Sequence, residues 1–179
     1  MAAMSAPAHG HIATEPSPWI VQWTRFVPPG AAVLDVACGH GRHTRWFAAR
    51  GHTVDAVDRD AAAISALGQV PRVTALCADI EGGPWPYGGR VYGAVVAANY
   101  LHRPLLSRLV DAVAPGGVLL YETFAVGNER YGRPSNPAFL LQPGELLEAV
   151  RGRLRVLAYE DVDVAEPRPA CVQRICAIR

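Results

Sequence analysis

The stretch AVLDVACGHGRHT, residues 32–44, joins a short β-rich run to a turn with two glycines and then to the start of a helix. This order is typical of the first unit of a doubly wound α/β domain. The turn glycines, Gly39 and Gly41, have no Cβ, so a ligand can approach the backbone there. The stretch therefore predicts both the fold class and the place of a ligand.

The rest of the chain repeats this alternation of strand and helix. After the first strand, further strands are predicted over residues 53–57, 72–78, 92–98 and 117–124, and helices over 17–26, 44–50, 61–67, 104–113 and 143–150. Ser17 is expected to cap the first helix. Nearly continuous apolar strands separated by helices require a parallel sheet covered on both faces. The predicted fold is therefore α/β, with a doubly wound, mostly parallel sheet.

The end of the chain departs from this pattern. The predicted strands at residues 155–164 and 170–178 are separated only by AEPRP, which is too short for a crossover helix, so they must pair antiparallel as a C-terminal hairpin. Residues 125–142 are polar and rich in Gly, Pro and Asn, which predicts a functional loop or lid. A flexible N-terminus over residues 1–16 and a single domain over residues 17–179 are expected.

Composition limits the classes of function. The 17 basic residues nearly balance the 16 acidic ones, so no surface for nucleic acid or an anionic membrane is expected. No apolar run approaches the roughly 20 residues that span a bilayer, and the N-terminal residues lack the apolar centre of a signal peptide. The protein is expected to be cytoplasmic.

The cysteines and histidines do not predict a metal site. The four cysteines lack the Cys-x-x-Cys spacing of zinc ligands and are interpreted as small buried side chains: Cys38, Cys77, Cys171 and Cys176. His40 and His43 are three residues apart with no third ligand in view, so both are interpreted as surface or packing histidines.

Three strand ends indicate which ligand binds at the glycine turn. A dinucleotide fingerprint would need a small residue at position 44, where Thr44 stands, and Asp35 would repel a pyrophosphate but attract a cation. Asp58 ends the second strand and is placed to accept hydrogen bonds from both hydroxyls of a ribose. Asp79 and Ile80 follow the third strand, where they could meet the amino group and the face of an adenine. A cationic, ribosylated adenine without phosphate is S-adenosylmethionine.

The motifs VLDVACGHG, AVDRD and CADI, at these strand ends, resemble the three cofactor motifs of class I S-adenosylmethionine-dependent methyltransferases. Ala37 stands where the usual acid-x-Gly-x-Gly-x-Gly pattern has its first glycine. GRHT, NYLHRPL and GNERYGRPSNP are similar to small bacterial methyltransferases of the tellurite-resistance and thiopurine-methyltransferase-like group. The resemblance covers residues 19–179 and implies a Rossmann-like methyltransferase fold.

The resemblance also implies a cofactor and its site. S-adenosylmethionine is the implied methyl donor, and S-adenosylhomocysteine the product. The implied cofactor-binding residues are Asp35, Ala37, Gly39, Gly41, Asp58, Arg59, Asp79, Ile80 and Asn99.

The candidate catalytic residues follow the fourth and fifth strands. Asn99 and Tyr100 lie where class I enzymes hold the methyl acceptor, although Asn99 could equally satisfy backbone groups at a turn. His102 could serve as a general base or cap the next helix. Glu122 could orient the acceptor or pair with an arginine of the following loop.

The segment 127–136 is expected to be a mobile lid over the carboxyl ends of the strands. Its residues Arg130, Tyr131 and Arg133 are the candidate acceptor contacts. Because an arginine holds a carboxylate or oxyanion through paired hydrogen bonds, they favour a small acceptor that is anionic or strongly polar.

The sequence therefore predicts in-line transfer of a methyl group from S-adenosylmethionine to a small molecule, by a monomer or homodimer. The absence of an Asn/Asp-Pro-Pro-Tyr run after the fourth strand argues against methylation of adenine or glutamine amino groups. Two alternatives remain open at this point. One is a non-catalytic regulator that binds S-adenosylmethionine, and the other is a nicotinamide-dependent oxidoreductase.

Overall fold

The computed structural model describes residues 14–179. Its strands are β1 Ala32–Val36, β2 Thr53–Asp58, β3 Val73–Cys77, β4 Tyr92–Ala98, β5 Val113–Phe124, β6 Arg155–Val164 and β7 Ala170–Ile178. They form one sheet in the order β3-β2-β1-β4-β5-β7-β6. Strands β1 to β5 are parallel, whereas β7 is antiparallel to both β5 and β6. The predicted fold class and C-terminal hairpin are confirmed.

The helices are α1 Pro18–Trp23, α2 Arg42–Ala48, α3 Ala61–Ser65, α4 Leu106–Asp111 and α5 Glu145–Val150. Short 3-10 helices cover Thr24–Phe26, Arg103–Leu105, Asn128–Arg130 and Pro137–Phe139. Among these elements no helix is long and apolar enough to cross a membrane. Residues 1–13, most of the segment predicted to be flexible, lie outside the described residues.

Each face of the sheet is covered by helices. On one face, Ile20 of α1 and Phe47 of α2 are fully buried in a cluster with Val96. On the other face, Leu109 of α4 and Leu146 of α5 are buried in a larger cluster. Burial of these apolar side chains on both faces is what a parallel sheet requires.

Several predicted helix boundaries are wrong. The helix predicted over 104–113 is a 3-10 turn followed by α4, and β5 begins already at Val113. The reason is that Val113 pairs with Tyr92 before a register shift in the ladder, so the Pro-Gly-Gly run after it lies within the strand. Helix α2 begins two residues before the predicted position because Gly41, with a φ of 76°, serves as its N-cap.

Ser17 is the N-cap residue of α1, but its side chain does not cap the helix. Its hydroxyl donates to Glu122 Oε1 at 2.7 Å, and its backbone N–H donates to Nε2 of the buried His43 at 3.0 Å. Through these two hydrogen bonds Ser17 connects the start of α1 to α2 and to β5.

The cysteine prediction is only partly correct. Cys171 and Cys176 are buried, but Cys38 is partly exposed and Cys77 is exposed. Cys77 ends β3, close to the edge of the sheet, where helix packing does not cover it.

Candidate functional site

Two cavities open along the edge where the carboxyl ends of the parallel strands meet. The larger cavity, of about 440 Å³, is lined by Ala37, Asp58, Arg59, Ala78, Asp79, Ile80, Glu81, Asn99, Tyr100, Leu101, Thr123, Phe124, Pro134 and Phe139. The smaller cavity, of about 230 Å³, is lined by Asp35, Ala37, Cys38, Gly39, His40, Arg42, His43, Ala98 and Asn99. The two cavities share Ala37 and Asn99, so they are adjoining parts of one crevice at the place where ligands bind in this architecture.

The turn after β1 shapes the smaller cavity. Gly39 has a φ of 53°, and a Cβ built there would meet nothing within 4 Å. At Gly41 a Cβ would lie 2.5 Å from Cδ2 of the buried Leu67. Gly39 therefore leaves open space toward a ligand, whereas a side chain at Gly41, which also has a left-handed φ of 76°, would collide with Leu67. Gly41 lies outside the lining of both cavities, although it was predicted to bind the cofactor.

Asp35 is a buried acid at the smaller cavity. Its side chain is 1% exposed, and its Oδ2 accepts a hydrogen bond of 2.6 Å from the Thr44 hydroxyl. Burial raises the pKa of Asp35 from 3.8 to about 6, against the opposing effects of the Thr44 hydrogen bond and the Arg42 charge. Since Thr44 is a neutral partner, a cationic group in this cavity would stabilise the charged carboxylate.

The histidine beside this acid does not supply that charge. Burial and, to a lesser extent, the neighbouring Arg42 charge together lower the pKa of His43 to about 3, so the imidazole is neutral at physiological pH. Arg42 itself lines the smaller cavity, and its Nη1 donates to the Glu15 carbonyl at 3.2 Å.

Asp58 connects the turn after β1 to the end of β2. Its Oδ2 accepts from the Gly39 N–H at 2.8 Å, and its Oδ1 accepts from the Asp60 N–H at 2.9 Å. A carboxylate oxygen has two lone-pair sites, so each oxygen keeps capacity for another donor in the larger cavity.

Asp79 combines a structural contact with a place in the cavity. Its Oδ1 accepts from the N–H groups of Glu81 and Gly82, each at 3.0 Å, and these bonds lower the pKa of Asp79. One oxygen of Asp79 therefore caps the turn that follows β3, while the side chain still lines the larger cavity. Arg59 and the buried Ile80 stand beside it.

Asn99 and Tyr100 are brought to the junction of the two cavities. Asn99 has a φ of 56° and lines both cavities, and its N–H donates to the Glu122 carbonyl at 2.9 Å. The Tyr100 hydroxyl is buried without a hydrogen-bond partner among the described residues. Burial, reinforced by the Glu81 carboxylate, raises the pKa of Tyr100 well above its usual value, so this phenol stays protonated.

His102 and Glu122 lie outside the lining of both cavities. His102 Nδ1 is 3.8 Å from Glu81 Oε2, and its side chain makes no capping hydrogen bond. Glu122 accepts from Ser17 and pairs with Arg174 of β7 at 3.3 Å, not with an arginine of the loop. The strand neighbours that do line the larger cavity are Thr123 and Phe124.

The three predicted acceptor contacts of the loop also lie outside both linings. Arg130 forms an ion pair of 3.0 Å with Asp163 of β6, and its guanidinium lies 5.3 Å from the Tyr131 ring centre. The Arg133 carbonyl accepts from Arg168 at 3.4 Å. The loop turns the Arg130 side chain toward the C-terminal hairpin and reaches the larger cavity through Pro134.

Sequence reasoning missed part of the lining. Arg42 and Cys38 adjoin the glycine turn, and Thr123 and Phe124 end the fifth strand, so the same strand-end rule could have found them. Phe139 lies in a long irregular segment, where no sequence pattern indicates its direction. The other unpredicted lining residues are His40, His43, Ala78, Glu81, Ala98, Leu101 and Pro134.

The described residues hold no group of three or more His, Cys, Asp or Glu side chains that could bind a metal ion. The site instead combines a parallel sheet, an antiparallel C-terminal hairpin and an acid at or just after each of the first three strands. The fold is the one found in solved structures of S-adenosylmethionine-dependent methyltransferases.

Residues 33–117 match the family model of a methyltransferase domain. The matched part begins in β1, ends in β5 and contains all three cofactor motifs. This part of the chain is therefore similar to a methyltransferase domain. No curated protein matches the sequence.

Solved structures share this fold at low sequence identity. TehB from Haemophilus influenzae superposes with a TM-score of 0.74 at 17% identity, over 89% of this chain and 61% of TehB. A TehB-like SAM-dependent methyltransferase from Corynebacterium glutamicum superposes with a TM-score of 0.62 at 19% identity, over 87% of this chain and 86% of that one. The [4+2]-cyclase SpnF superposes with a TM-score of 0.63 at 20% identity, over 80% of this chain and 57% of SpnF.

These structures differ in what their names describe. This chain spans about three-fifths of the length of TehB. Because a cyclase shares the fold with methyltransferases, the fold alone does not determine the reaction.

Proposed function

We propose that the protein transfers the methyl group of S-adenosylmethionine to a small-molecule acceptor by in-line displacement. The observation that carries this proposal is the pair of adjoining cavities, which together offer a complement for each part of the cofactor and further space beside it. The crevice lies between the strand ends and the loop after β5, and its limited volume favours a small-molecule acceptor. The cytoplasmic location and the monomeric or homodimeric state stay predictions.

The chemistry of the smaller cavity fits the methionine part of the cofactor. Asp35 would hold the ammonium group, and Arg42 would hold the carboxylate. Gly39 leaves room for this part against the backbone, since nothing lies within 4 Å of a Cβ built there. The donor set and the open space thus agree with a zwitterionic amino-acid group.

The inner half of the larger cavity fits adenosine. Asp58 would accept hydrogen bonds from the ribose hydroxyls, Asp79 would meet the adenine amino group, and Ile80 would pack on the ring face. The cofactor would then cross from one cavity to the other at Ala37 and Asn99.

The bound cofactor supplies an activated methyl group, so the remaining tasks of the chain are to hold the acceptor in line and to exclude water. Tyr100 is suited to donating a hydrogen bond, because it lines the larger cavity and its hydroxyl is protonated. A base is needed only for an acceptor that must lose a proton. His102 and Glu122 lie outside the cavity linings, so a direct catalytic role for them stays a prediction.

Both alternative functions receive less support from the site. A non-catalytic regulator would not need the half of the larger cavity lined by Thr123, Phe124 and Phe139, beyond the adenosine residues. A dinucleotide would bring its negatively charged pyrophosphate toward the Asp35 carboxylate, and the two charges would repel each other. The hydrogen bond from Thr44 does not remove this repulsion, because Thr44 is neutral.

The ribose assignment is tested by Asp58→Ala. This substitution removes a charged acceptor from the larger cavity and also the hydrogen bond to the Gly39 N–H. We expect the affinity for S-adenosylmethionine to fall by roughly 1 to 3 kcal/mol. Isothermal calorimetry with S-adenosylmethionine and with S-adenosylhomocysteine measures the change.

Asp60→Ala is the matched control, because Asp60 caps α3 two residues away and lies outside the cavity linings. It should lower the stability of the fold and leave cofactor affinity unchanged. Equal affinities of the wild type and Asp58→Ala would contradict the ribose assignment. Absence of binding by the wild type would contradict the proposed function as a whole.

A further inference from the structure

The two halves of the larger cavity differ in chemistry. At the ends of β2 and β3 the lining contains the charged residues Asp58, Arg59, Asp79 and Glu81. At the ends of β4 and β5 and in the following loop, it contains no charged side chain. This second half, here called the aromatic subsite, consists of Tyr100, Leu101, Thr123, Phe124, Pro134 and Phe139.

Phe139 is the most exposed large apolar side chain of the aromatic subsite, with 52% of its surface in solvent. Phe124, by contrast, is 9% exposed and packs in a small core cluster with Leu140. Water contact with an aromatic ring is unfavourable, so a ligand that covered Phe139 would gain free energy from its burial.

Arg103 holds the backbone on both sides of Phe139. Its Nη1 donates to the Ala138 carbonyl at 2.9 Å, and its Nη2 donates to the Leu140 carbonyl at 2.8 Å. The same guanidinium forms an ion pair of 2.7 Å with Glu145, at the start of α5. Phe139 is therefore exposed but fixed in place at the cavity, which reduces the entropy that a ligand must overcome on binding.

The charges around the larger cavity disfavour an anionic acceptor. Asp58, Asp79 and Glu81 contribute three carboxylates to the lining, against the one guanidinium of Arg59. The loop residue Arg130, which was expected to attract an anion, is paired with Asp163. An acceptor without negative charge avoids repulsion in this cavity, and a cationic one gains from both the carboxylates and the aromatic rings.

We propose that the aromatic subsite binds the methyl acceptor through a ring system that is uncharged or cationic, and that Arg103 is a positioning residue that holds Phe139 against this ring. The assignment rests on the proposed function, because the adenosine part of the cofactor takes the charged half of the cavity. It replaces the sequence-based expectation of an anionic or strongly polar acceptor held by Arg130 and Arg133.

Three probes of nearly equal size and different charge test the acceptor class: benzyl alcohol, benzylamine and benzoate. Their binding to the full chain is titrated by NMR, with and without saturating S-adenosylhomocysteine. We expect the neutral and cationic probes to bind at least about tenfold more tightly than benzoate. Benzoate binding as tightly as benzyl alcohol, or no saturable binding of either favoured probe, would overturn the assignment.

Phe139→Ala should weaken benzylamine binding by about tenfold, because it removes the exposed ring, and should leave S-adenosylhomocysteine affinity unchanged. Phe26→Ala is the matched control, since Phe26 is 37% exposed and lies outside the cavity linings. If Phe139→Ala bound benzylamine as tightly as the wild type, the ring of the ligand would not lie against Phe139, and the assignment of the aromatic subsite would be wrong.

Arg103→Met tests the positioning role. The variant keeps an unbranched apolar chain but loses the donors to the Ala138 and Leu140 carbonyls. It should weaken benzylamine binding like Phe139→Ala, and the double variant should be no weaker than either single variant, because both changes remove the same contact. Additive losses would assign Arg103 a general structural role instead.

Arg153→Met is the control for Arg103→Met, because Arg153 contacts Ser107 and Asp111 outside the cavity linings. The results also separate this inference from the proposed function. Failure of S-adenosylhomocysteine to bind would contradict the proposed function. Normal S-adenosylhomocysteine binding together with a preference for benzoate would contradict only the aromatic subsite.

Discussion

The Gly39→Val variant is expected to lose S-adenosylmethionine binding while it keeps the fold. Gly39 has a φ of 53° and lines the smaller cavity, and nothing lies within 4 Å of a Cβ built on it. A valine Cβ would therefore collide with no protein atom, but its two methyl groups would occupy the space of the methionine part of the cofactor. We expect the affinity to fall by roughly a hundredfold or more, equivalent to about 2.8 kcal/mol.

The measurement combines circular dichroism, thermal unfolding and calorimetric titration with S-adenosylmethionine. Gly51→Val is the matched control, because Gly51 has a φ of 87° and equally open space but lies outside the cavity linings. Both variants place a branched residue in the left-handed region, so both should lose stability by about 1 to 2 kcal/mol. Only Gly39→Val should lose the cofactor, and retained affinity would mean that the ligand lies elsewhere.

Local patterns predicted the fold because strands of a parallel sheet are continuous apolar runs. The predicted limits of β4, β6 and β7 agree with the structure at every residue. The start of β5 was missed because it depends on Val113 pairing with Tyr92, which lies 21 residues earlier in the chain. A Pro-Gly-Gly run after a helix resembles a loop unless this partner strand is known.

The position of the crevice at the strand ends was predictable for a similar reason. Asp35, Asp58 and Asp79 lie at or just after strands, and parallel strands bring their carboxyl ends to one edge. What the sequence could not separate was the roles of the two turn glycines. The sequence motif predicts the same role for Gly39 and Gly41. Only the three-dimensional structure shows that a Cβ at Gly41 would collide with Leu67.

The acceptor half was not predictable, because it depends on contacts between distant parts of the chain. Arg130 turns away from the cavities toward Asp163, which follows it by 33 residues. Phe139 stands at the cavity because Arg103, more than 30 residues earlier, holds its neighbours. A long polar loop with arginines suggests an anion site, but the direction of each side chain is set by these partners.

Asp35→Asn is expected to change stability and cofactor binding in opposite directions. Burial raises the pKa of Asp35 from 3.8 to about 6, so between these values the folded chain binds more protons than the unfolded chain. The free energy of unfolding therefore decreases as the pH rises through this window, by about 3 kcal/mol in total. Asparagine keeps an oxygen to accept from Thr44 but has no charge to bury.

The variant should therefore be more stable than the wild type by about 2 to 3 kcal/mol at pH 8, and the difference should shrink toward pH 4. Chemical denaturation at several pH values measures this. Asp55→Asn is the matched control, because Asp55 is a buried acid that accepts from Tyr92 and pairs with Arg90. Loss of that ion pair should lower stability without changing cofactor affinity.

Cofactor binding should show the opposite sign. If the ammonium group of S-adenosylmethionine lies beside Asp35, it stabilises the charged carboxylate and lowers the pKa of Asp35 in the complex. Binding near pH 6 then releases a proton, so the affinity of the wild type rises with pH through that region. Calorimetry in buffers of different ionisation enthalpy measures the proton count. Asp35→Asn should bind more weakly and release none, whereas equal proton release by both proteins would remove Asp35 from the cofactor site.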